Sequence, residues 1–213
     1  MQQEKTPSSS TCVLLGPNHK GEGIPLSLSA SDVWETPLGR SRVDDEFAEA
    51  LLREAPQLKR DEAAHRWEHS LEVQLPFIQY LAETVKIIPI LLGFQPVQVY
   101  QKVGEALARV FQGSPGEVLV LASSDMTHYE PQEVVQKKDQ EAIESILALD
   151  ETQLMERIKE RNISMCGYAP TVAMLTCAKR LGAKRGRLIK YQTSGDSSGE
   201  YRRVVGYAGI FLQ

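Results

Sequence analysis

Three of the four histidines in this chain lie where a segment of regular structure is predicted to begin or end. His19 follows an apolar run in LLGPNHKG, His69 begins a helical segment in EHSLEVQLPF, and His128 follows another apolar run in SSDMTHYEP. Asp125 lies shortly before His128, and Asp196 lies in the loop TSGDSSGE. Imidazole and carboxylate groups together form the ligand sets of non-haem iron, zinc and manganese sites. The pattern therefore predicts a metal centre, where a histidine that does not bind the metal could act as acid or base.

Each of these residues could also have a purely structural role. A lone loop histidine such as His19 more often organises its loop through hydrogen bonds than it binds a metal. His69 and its neighbour Glu68 could simply begin a helix, since a carboxylate is favoured there by the helix dipole. Asp125 could cap a turn or the following helix, and His65, among charged residues, is predicted to face solvent. Single positions therefore leave both roles open.

Two further segments could carry chemistry. The loop TSGDSSGE is rich in Gly and Ser, but it lacks the Gly-Lys-Ser/Thr ending of a phosphate-binding loop. Cys166, in MCGYAP just before a predicted helix, either has a pKa lowered by the helix N-terminus or, more often for such a cysteine, is a small buried residue. With Cys12 and Cys177 it makes an odd number without CxxC spacing, so we predict three reduced thiols rather than disulfides or a zinc ribbon.

The composition excludes several functional classes. The 24 basic and 28 acidic residues give a net charge of −4 without a dense Lys/Arg block, which argues against nucleic acid and anionic membranes as partners. The longest apolar runs, KIIPILLGF and EVLVLAS, are far shorter than the roughly 20 residues of a membrane helix. MQQEKTPSSS lacks the apolar core of a secretory signal, so we expect a cytoplasmic protein. The 213 residues are predicted to form one domain over 11–213, after a disordered segment over 1–10.

Short β-rich apolar runs alternate with segments of helical spacing. The predicted strands cover residues 11–15, 86–92, 117–122, 187–193 and 204–212, and the predicted helices cover residues 44–54, 70–83, 97–112, 131–149, 152–161 and 170–181. Asp150 is expected to cap a helix, Pro170 to lie in a first turn and Gly182 to end a helix. This alternation predicts an α/β fold with a mostly parallel sheet, whereas the last two strands suit an antiparallel pair. Ligands of such sheets bind beyond the carboxyl ends of the strands.

Seven segments, in order, resemble the Memo-like family, whose prokaryotic members are called AmmeMemoRadiSam system protein B. They are LLGPNHKG, SDVWETPLG, EHSLEVQLPF, IPILLG, SSDMTHY, CGYAP and TSGDSSGEYRRVVGYAGI, and they run from about Cys12 to Phe211. The resemblance implies a three-layer α/β sandwich similar to the class III extradiol dioxygenases. In that fold a non-haem metal lies at one end of the sheet, with iron foremost and copper or zinc as alternatives.

The resemblance also implies roles for individual residues. His19 matches the metal-ligand histidine of the family motif GPxH, and His69 matches a histidine that lines the same pocket. Asp125 and His128 match the SSDxxH pair, so catalytic roles are expected for these two and for His69. The loop of Asp196 matches the last pocket loop, where eukaryotic relatives carry a cysteine, so a third ligand from this loop would be Asp196 or be absent.

The beginning of the chain departs from the family pattern. Family members normally open with a strand and loop reading PHAGYxxSG, whose histidine is the first metal ligand, and then a helix. Residues 1–10 contain no histidine and no apolar run, so we expect this first βα unit to be missing and the metal site to be incomplete. If the missing strand paired beside residues 11–15, backbone groups and apolar surface would be left uncovered.

Two functional hypotheses follow, because a shared fold does not fix a reaction. As a metal-dependent enzyme, the protein would use a divalent metal to activate O₂ or a small aromatic or carbonyl substrate. As a non-catalytic binding module, it would recognise a peptide or protein through Asp125, His128 and Asp196. By association, its partners would then be AMMECR1-like and radical SAM proteins. An inactive fragment is a third hypothesis.

Overall fold

A computed structural model describes residues 10–82 and 84–213. The strands are β1 (Thr11–Pro17), β2 (Leu26–Leu28), β3 (Val33–Thr36), β4 (Gly39–Arg42), β5 (Lys59–Arg60), β6 (Lys86–Leu92), β7 (Val118–Ala122), β8 (His128–Glu130), β9 (Gly186–Thr193) and β10 (Val204–Leu212). The helices are α1 (Asp45–Glu54), α2 (Leu75–Leu81), α3 (Val97–Gly113), α4 (Gln132–Leu147), α5 (Glu151–Arg161), α6 (Tyr168–Arg180) and α7 (Gly195–Ser198). The segment predicted to be disordered covers residues 1–10. All of these residues except Ser10 lie outside the described part of the chain.

The strands form a central sheet and two smaller sheets. The central sheet has the order β5-β2-β6-β1-β7, in which β1 runs parallel to both β6 and β7. Strands β8, β10 and β9 form an antiparallel sheet at the C-terminal end of the chain, and β3 pairs with β4. Helices lie on both sides of the central sheet. The predicted α/β class, the mostly parallel sheet and the antiparallel C-terminal strands are confirmed.

Strand β1 lies inside the central sheet, not at its edge. Its neighbours β6 and β7 occupy both of its sides, so the position beside residues 11–15 that was considered for a further strand is filled. The edge strands of the central sheet are β5 and β7. All seven residues of β1 are buried. This is the pattern of a parallel strand covered on both faces, and it accounts for the continuous apolar run in the sequence.

The helix boundaries follow the predicted signals with one exception. Asp150 accepts a hydrogen bond from the Gln153 backbone N–H at 2.8 Å, Pro170 lies in the first turn of α6, and Gly182 follows that helix with a φ of 96°. The predicted helix over residues 70–83 is shorter than expected, because residues 70–74 form turns and α2 begins at Leu75. The N–H groups of Gln74 and Leu75 bond to carbonyl oxygens three residues back, and Pro76 has no N–H, so the regular helical pattern begins only at Leu75.

The buried apolar residues form two clusters. The larger one surrounds β1 and β6 and includes side chains of α1, α3 and α6, whereas the smaller one lies among α4, α5 and the residues before α6. The two clusters are bridged by α6, which contributes Val172 to the larger cluster and Leu175 to the smaller one.

Within the described part of the chain, no helix is long and apolar enough to cross a membrane.

Helices α3 and α6 approach each other closely at Gly104. A Cβ atom there would lie 2.3 Å from the carbonyl oxygen of Ala173 and 2.8 Å from Cβ of Thr176. Because the nearest atom belongs to the backbone, it cannot rotate away. This contact fixes α6, whose N-terminal end lies beside the candidate site through Cys166 and Gly167.

We predict that Gly104→Ala destabilises the protein by about 1–3 kcal/mol, because the added methyl group overpacks this contact. In an unobstructed helix the same change stabilises by about 0.5–1 kcal/mol. Gly113→Ala, at the end of α3, is the matched control, since a Cβ there meets nothing within 4 Å. Urea unfolding of both variants measures the difference, and equal midpoints would contradict the prediction.

Candidate functional site

A buried carboxylate, Glu68, joins two of the three histidine segments. Its side chain is 1% exposed. Oε2 accepts the backbone N–H of His19 at 2.6 Å, and Oε1 lies 2.9 Å from the ring Nδ1 of His19. Oε1 also accepts the backbone N–H groups of His69 and Ser70, both at 2.9 Å. These bonds tie the loop that carries His19 to the segment that carries His69.

The hydrogen bonds keep Glu68 ionised. Burial by itself raises the pKa of this carboxyl, but the ring of His19 and the backbone N–H groups of Ser70 and His19 donate to the charged form and outweigh it. The net result is a pKa below the ordinary value. An ionised carboxylate can only accept, so Nδ1 of His19 carries a proton, and in the neutral imidazole Nε2 is then the nitrogen with the lone pair.

The imidazoles of His19 and His69 stack on each other beside Glu68. Their ring centroids are 5.0 Å apart and their planes differ by 14°. Nδ1 of His69 is 3.5 Å from Glu68 Oε1, so in both rings Nδ1 faces the carboxylate and Nε2 is the more distant nitrogen. The side chains of His19 and His69 are 30% and 62% exposed. Two nitrogen donors are therefore presented side by side to solvent.

Close packing at the end of β1 brings the two segments together. A Cβ at Gly16 would lie 2.6 Å from both Cδ2 of Leu71 and Oγ of Ser70. Only glycine allows this approach without movement of those side chains. The Ser70 hydroxyl also donates to the carbonyl oxygen of Pro17 at 3.2 Å. The loop that carries His19 is thus held against the segment that carries Glu68.

The prediction that His65 faces solvent is wrong. His65 is buried, and its Nε2 lies 3.2 Å from Oγ of Ser27. Burial lowers its pKa, and the nearby carboxylate of Glu62 only partly opposes this effect. The charged residues beside His65 suggested an exposed segment, but their side chains hydrogen-bond to loop backbone. Asp61 accepts the N–H of Ile24, and Glu62 accepts the N–H of Ala30.

Asp125 and His128 form a second polar pair beyond the end of β7. Nδ1 of His128 is 2.7 Å from the carbonyl oxygen of Ser164, so Nδ1 carries the proton. The other nitrogen, Nε2, is 3.6 Å from Oδ2 of Asp125, which is too long for a hydrogen bond. Tyr129, the next residue, has a φ of 59°, a conformation that non-glycine residues adopt at a cost. His128 is therefore oriented with Nε2 facing Asp125.

Cys166 packs against the same pair. Its Sγ accepts the backbone N–H of Asp125 at 3.2 Å. Burial raises the pKa of the Cys166 thiol, and the contact with the N–H of Asp125 opposes this only in part. The alternative of a pKa lowered by the helix N-terminus is therefore wrong. Cys12 and Cys177 are buried free thiols whose pKa values burial raises to about 12.

Asp196 does not join the histidines. It is exposed, and its Oδ2 accepts the backbone N–H of Thr193 at 2.7 Å. Within residues 10–82 and 84–213, one group of at least three potential ligands has its donor atoms within 4.8 Å of one another, namely His19, Glu68 and His69. Sequence reasoning treated Glu68 only as a helix-start residue, and the one signal for it was its place beside His69 in the segment EHS.

We predict that Glu68→Gln destabilises the protein by about 1–3 kcal/mol at pH 7, because an amide NH₂ would face backbone donors that the carboxylate now satisfies. The pKa of Glu68 is lowered in the folded state, so its contribution is present above the unfolded value of 4.5 and is lost as the pH falls below it. Urea unfolding between pH 7 and pH 3 should show the difference between wild type and variant shrinking. Glu72→Gln, at an exposed position, is the control, and equal losses in the two variants would contradict the prediction.

Comparisons with known proteins agree with this arrangement of motifs. The sequence profile described as Memo-like protein matches residues 1–211. A MEMO1 family protein of Methanopyrus kandleri is 46% identical over 204 residues, which cover 95% of this chain and 72% of that protein. One of Methanosarcina barkeri is 47% identical over 208 residues, 97% of this chain and 77% of its own length. A third, of Methanocaldococcus jannaschii, is 45% identical over 207 residues, 95% of this chain and 72% of its own. The chain belongs to the Memo-like protein family.

Proposed function

We propose that this Memo-family protein binds a divalent first-row metal ion through Nε2 of His19 and Nε2 of His69. The observation that carries the proposal is the contact of Nδ1 of His19 with the buried carboxylate of Glu68. Histidines that bind metals commonly donate their other ring N–H to a carboxylate, which fixes the tautomer and the ring orientation. Here Oε1 of Glu68 lies 2.9 Å from Nδ1 of His19 and 3.5 Å from Nδ1 of His69.

The donor set fits a metal ion of this type. Glu68 already accepts four N–H groups, which is about the full capacity of a carboxylate, so it orients the histidines and does not itself bind the ion. Two nitrogens bound to one ion at about 2.1 Å are at most about 4.2 Å apart. One ring nitrogen of each histidine and one oxygen of Glu68 lie within 4.8 Å of one another, and rotation of the exposed His69 side chain would bring its Nε2 to that separation from Nε2 of His19. His69 is thereby assigned to metal binding rather than catalysis.

Imidazole donors suit iron, copper and zinc, and the resemblance to class III extradiol dioxygenases favours iron. When bound, such an ion would polarise a substrate oxygen or supply redox chemistry. His128 is the residue we propose as general acid or base, because the carbonyl oxygen of Ser164 holds the proton on Nδ1 and leaves Nε2 to accept another. The hydrogen bond from Thr193 holds Asp196 outside this donor set.

Metal analysis after anaerobic purification tests the proposal. We expect wild-type protein to retain iron, copper or zinc, and His19→Ala and His69→Ala to lose most of it. For purified apoprotein titrated with Zn²⁺ or Co²⁺, each variant should bind at least about tenfold more weakly. His128→Ala is the histidine control and should bind metal like the wild type. Equal metal content in wild type and His19→Ala would exclude His19 as a ligand.

A second candidate function is protein binding, and one specific observation favours it. Val73, Phe77, Tyr80 and Leu81, in and just before α2, are 48%, 70%, 80% and 75% exposed. Residues three and four apart share one face of a helix, so this is an apolar row close in sequence to His69. We propose this row as the contact for the expected AMMECR1-like and radical SAM partners, with or without a metal in the adjacent site.

We predict that tagged wild-type protein captures a purified radical SAM or AMMECR1-like protein from the same genome, and that the double variant Phe77→Ser, Tyr80→Ser captures roughly tenfold less, since buried aromatic side chains carry much interface energy. Ile189→Ser, which removes an exposed apolar side chain from β9, is the control. Strictly monomeric behaviour beside both purified partners would contradict the protein-binding function.

A further inference from the structure

A second carboxyl group, Asp139, is completely buried in the middle of α4. Its Oδ1 accepts the backbone N–H of Thr127 at 2.9 Å, and its Oδ2 accepts the hydroxyl of Tyr191 at 2.8 Å. Both donors are uncharged, and the neighbouring Lys138 pairs with Glu130 instead. Burial raises the pKa of the Asp139 carboxyl, and the hydrogen bonds from Thr127 and Tyr191 oppose this only in part. A carboxyl group in such a place is costly to keep, so its role needs an explanation.

The carboxyl group reaches the loop before β8 because Gly206 of β10 leaves room for it. A Cβ atom at Gly206 would lie 1.8 Å from Oδ2 of Asp139 and 3.2 Å from Cβ of Met126. Asp139 therefore occupies the space that any larger residue at position 206 would fill. This close approach places a side chain of α4 between β10 and the backbone that leads to His128.

That backbone pairs with β10 in an irregular way. The N–H of Met126 donates to the carbonyl oxygen of Gly206, and the N–H of Gly206 donates to the carbonyl oxygen of Thr127, both at 2.9 Å. Two successive residues thus share one residue of the opposite strand, as in a β-bulge. In a regular antiparallel pair, the N–H of Thr127 would also donate to Gly206. Here it donates to Asp139 instead.

A second irregularity follows directly after His128. Val205 of β10 pairs with His128, whereas Val204 pairs with Glu130, so the pairing passes over Tyr129. Tyr129 is also a residue with a positive φ, of 59°. β-Bulges re-aim neighbouring side chains and are frequent beside active sites. His128 lies between two such irregularities, and its direction therefore depends on what holds them.

We propose that Asp139 is the positioning residue of His128. Its carboxyl group takes the N–H that the irregular pairing leaves without a strand partner, one residue before His128, and thereby fixes the direction of the imidazole. Ser164 completes the orientation, because its hydroxyl accepts the N–H of His128 and its carbonyl oxygen accepts Nδ1–H. The inference rests on the proposed function in one respect, namely the role of His128 as acid or base.

The contact is well suited to positioning, because three elements of regular structure hold one peptide group. Asp139 belongs to the 16-residue helix α4, Tyr191 to β9 and Gly206 to β10. The bond from Tyr191 fixes the rotation of the carboxyl group. Groups on helices and strands hold a site more precisely than groups on loops. The loop before β8 is thus anchored to the rigid part of the C-terminal half.

The position of the proton on His128 tests the inference in the absence of metal and substrate. Long-range ¹H–¹⁵N NMR of the full ¹⁵N-labelled chain shows which ring nitrogen carries the proton, and replacing each of the four histidines in turn with glutamine assigns the signals. At about pH 9, where free imidazole is neutral, we expect the proton of His128 on Nδ1. The amide of Thr127 should exchange with solvent at least about a hundredfold more slowly than an unstructured amide.

Three variants separate positioning from simple stabilisation. In Asp139→Ala both acceptor oxygens are lost, and the Nε2–H form of His128 should rise from a minor form to roughly half or more. Asp139→Asn keeps an oxygen that can accept the N–H of Thr127, so it should retain the Nδ1–H form. Tyr191→Phe removes the other hydrogen bond of the carboxyl group. It should lower the urea midpoint but leave the proton of His128 on Nδ1.

A second way to displace the carboxyl group guards against a variant that does not fold. Gly206→Ala leaves Asp139 in place in the sequence, but its Cβ atom would meet Oδ2 at 1.8 Å. It should therefore raise the Nε2–H form of His128 as Asp139→Ala does. The exchange rate of the Thr127 amide is measured on the wild type and needs no variant.

Four results would overturn the inference. A wild-type proton position in Asp139→Ala would show that Ser164 alone orients His128. Equal loss of the Nδ1–H form in Asp139→Asn, or in Tyr191→Phe, would reduce Asp139 to a stabilising contact. Fast exchange of the Thr127 amide in the wild type would exclude the bond itself. Because these measurements need neither metal nor turnover, their failure is distinguishable from failure of the proposed metal site.

Discussion

The buried carboxylate of Glu68 is the interaction on which the site depends. It connects the loop after β1 to the segment before α2 through N–H groups of His19, His69 and Ser70. A buried charge is tolerated only when it is well compensated, and here backbone and imidazole donors provide that compensation. The same carboxylate lies next to Nδ1 of both imidazoles. The position of the loop and the proposed metal chemistry therefore have one physical cause.

The position of β1 in the sheet explains why the candidate residues cluster at one rim. His19 follows β1 directly, and Asp125 and His128 follow the parallel neighbour β7. The carboxyl ends of parallel strands lie at the same edge, so both polar groups emerge at that edge.

Sequence patterns predicted the elements whose cause is local. Strands β6 and β10 were predicted at their observed bounds, because a long β-rich apolar run bounded by polar or turn-forming residues is typical of a strand. Asp150 was predicted as a helix cap from its position alone. The short strands β2 to β5 were missed. Two to four residues carry too little periodicity, and pairing with distant segments stabilises them. The start of α2 was misplaced because residues 70–74 form turns whose last N–H groups bond three residues back, and helical spacing of apolar residues does not distinguish such turns from a helix.

By itself, the sequence determined the α/β class, the membership of the Memo-like family and the residue types that could bind a metal, because each of these is encoded in composition, periodicity or motif. Only the tertiary structure decided that Glu68 lies next to both imidazoles, that His65 is buried and that Asp196 lies outside the donor group. The physical reason is distance along the chain. His19 and Glu68 are 49 residues apart, and the partner of a polar group that far away is chosen by packing, which no local pattern contains.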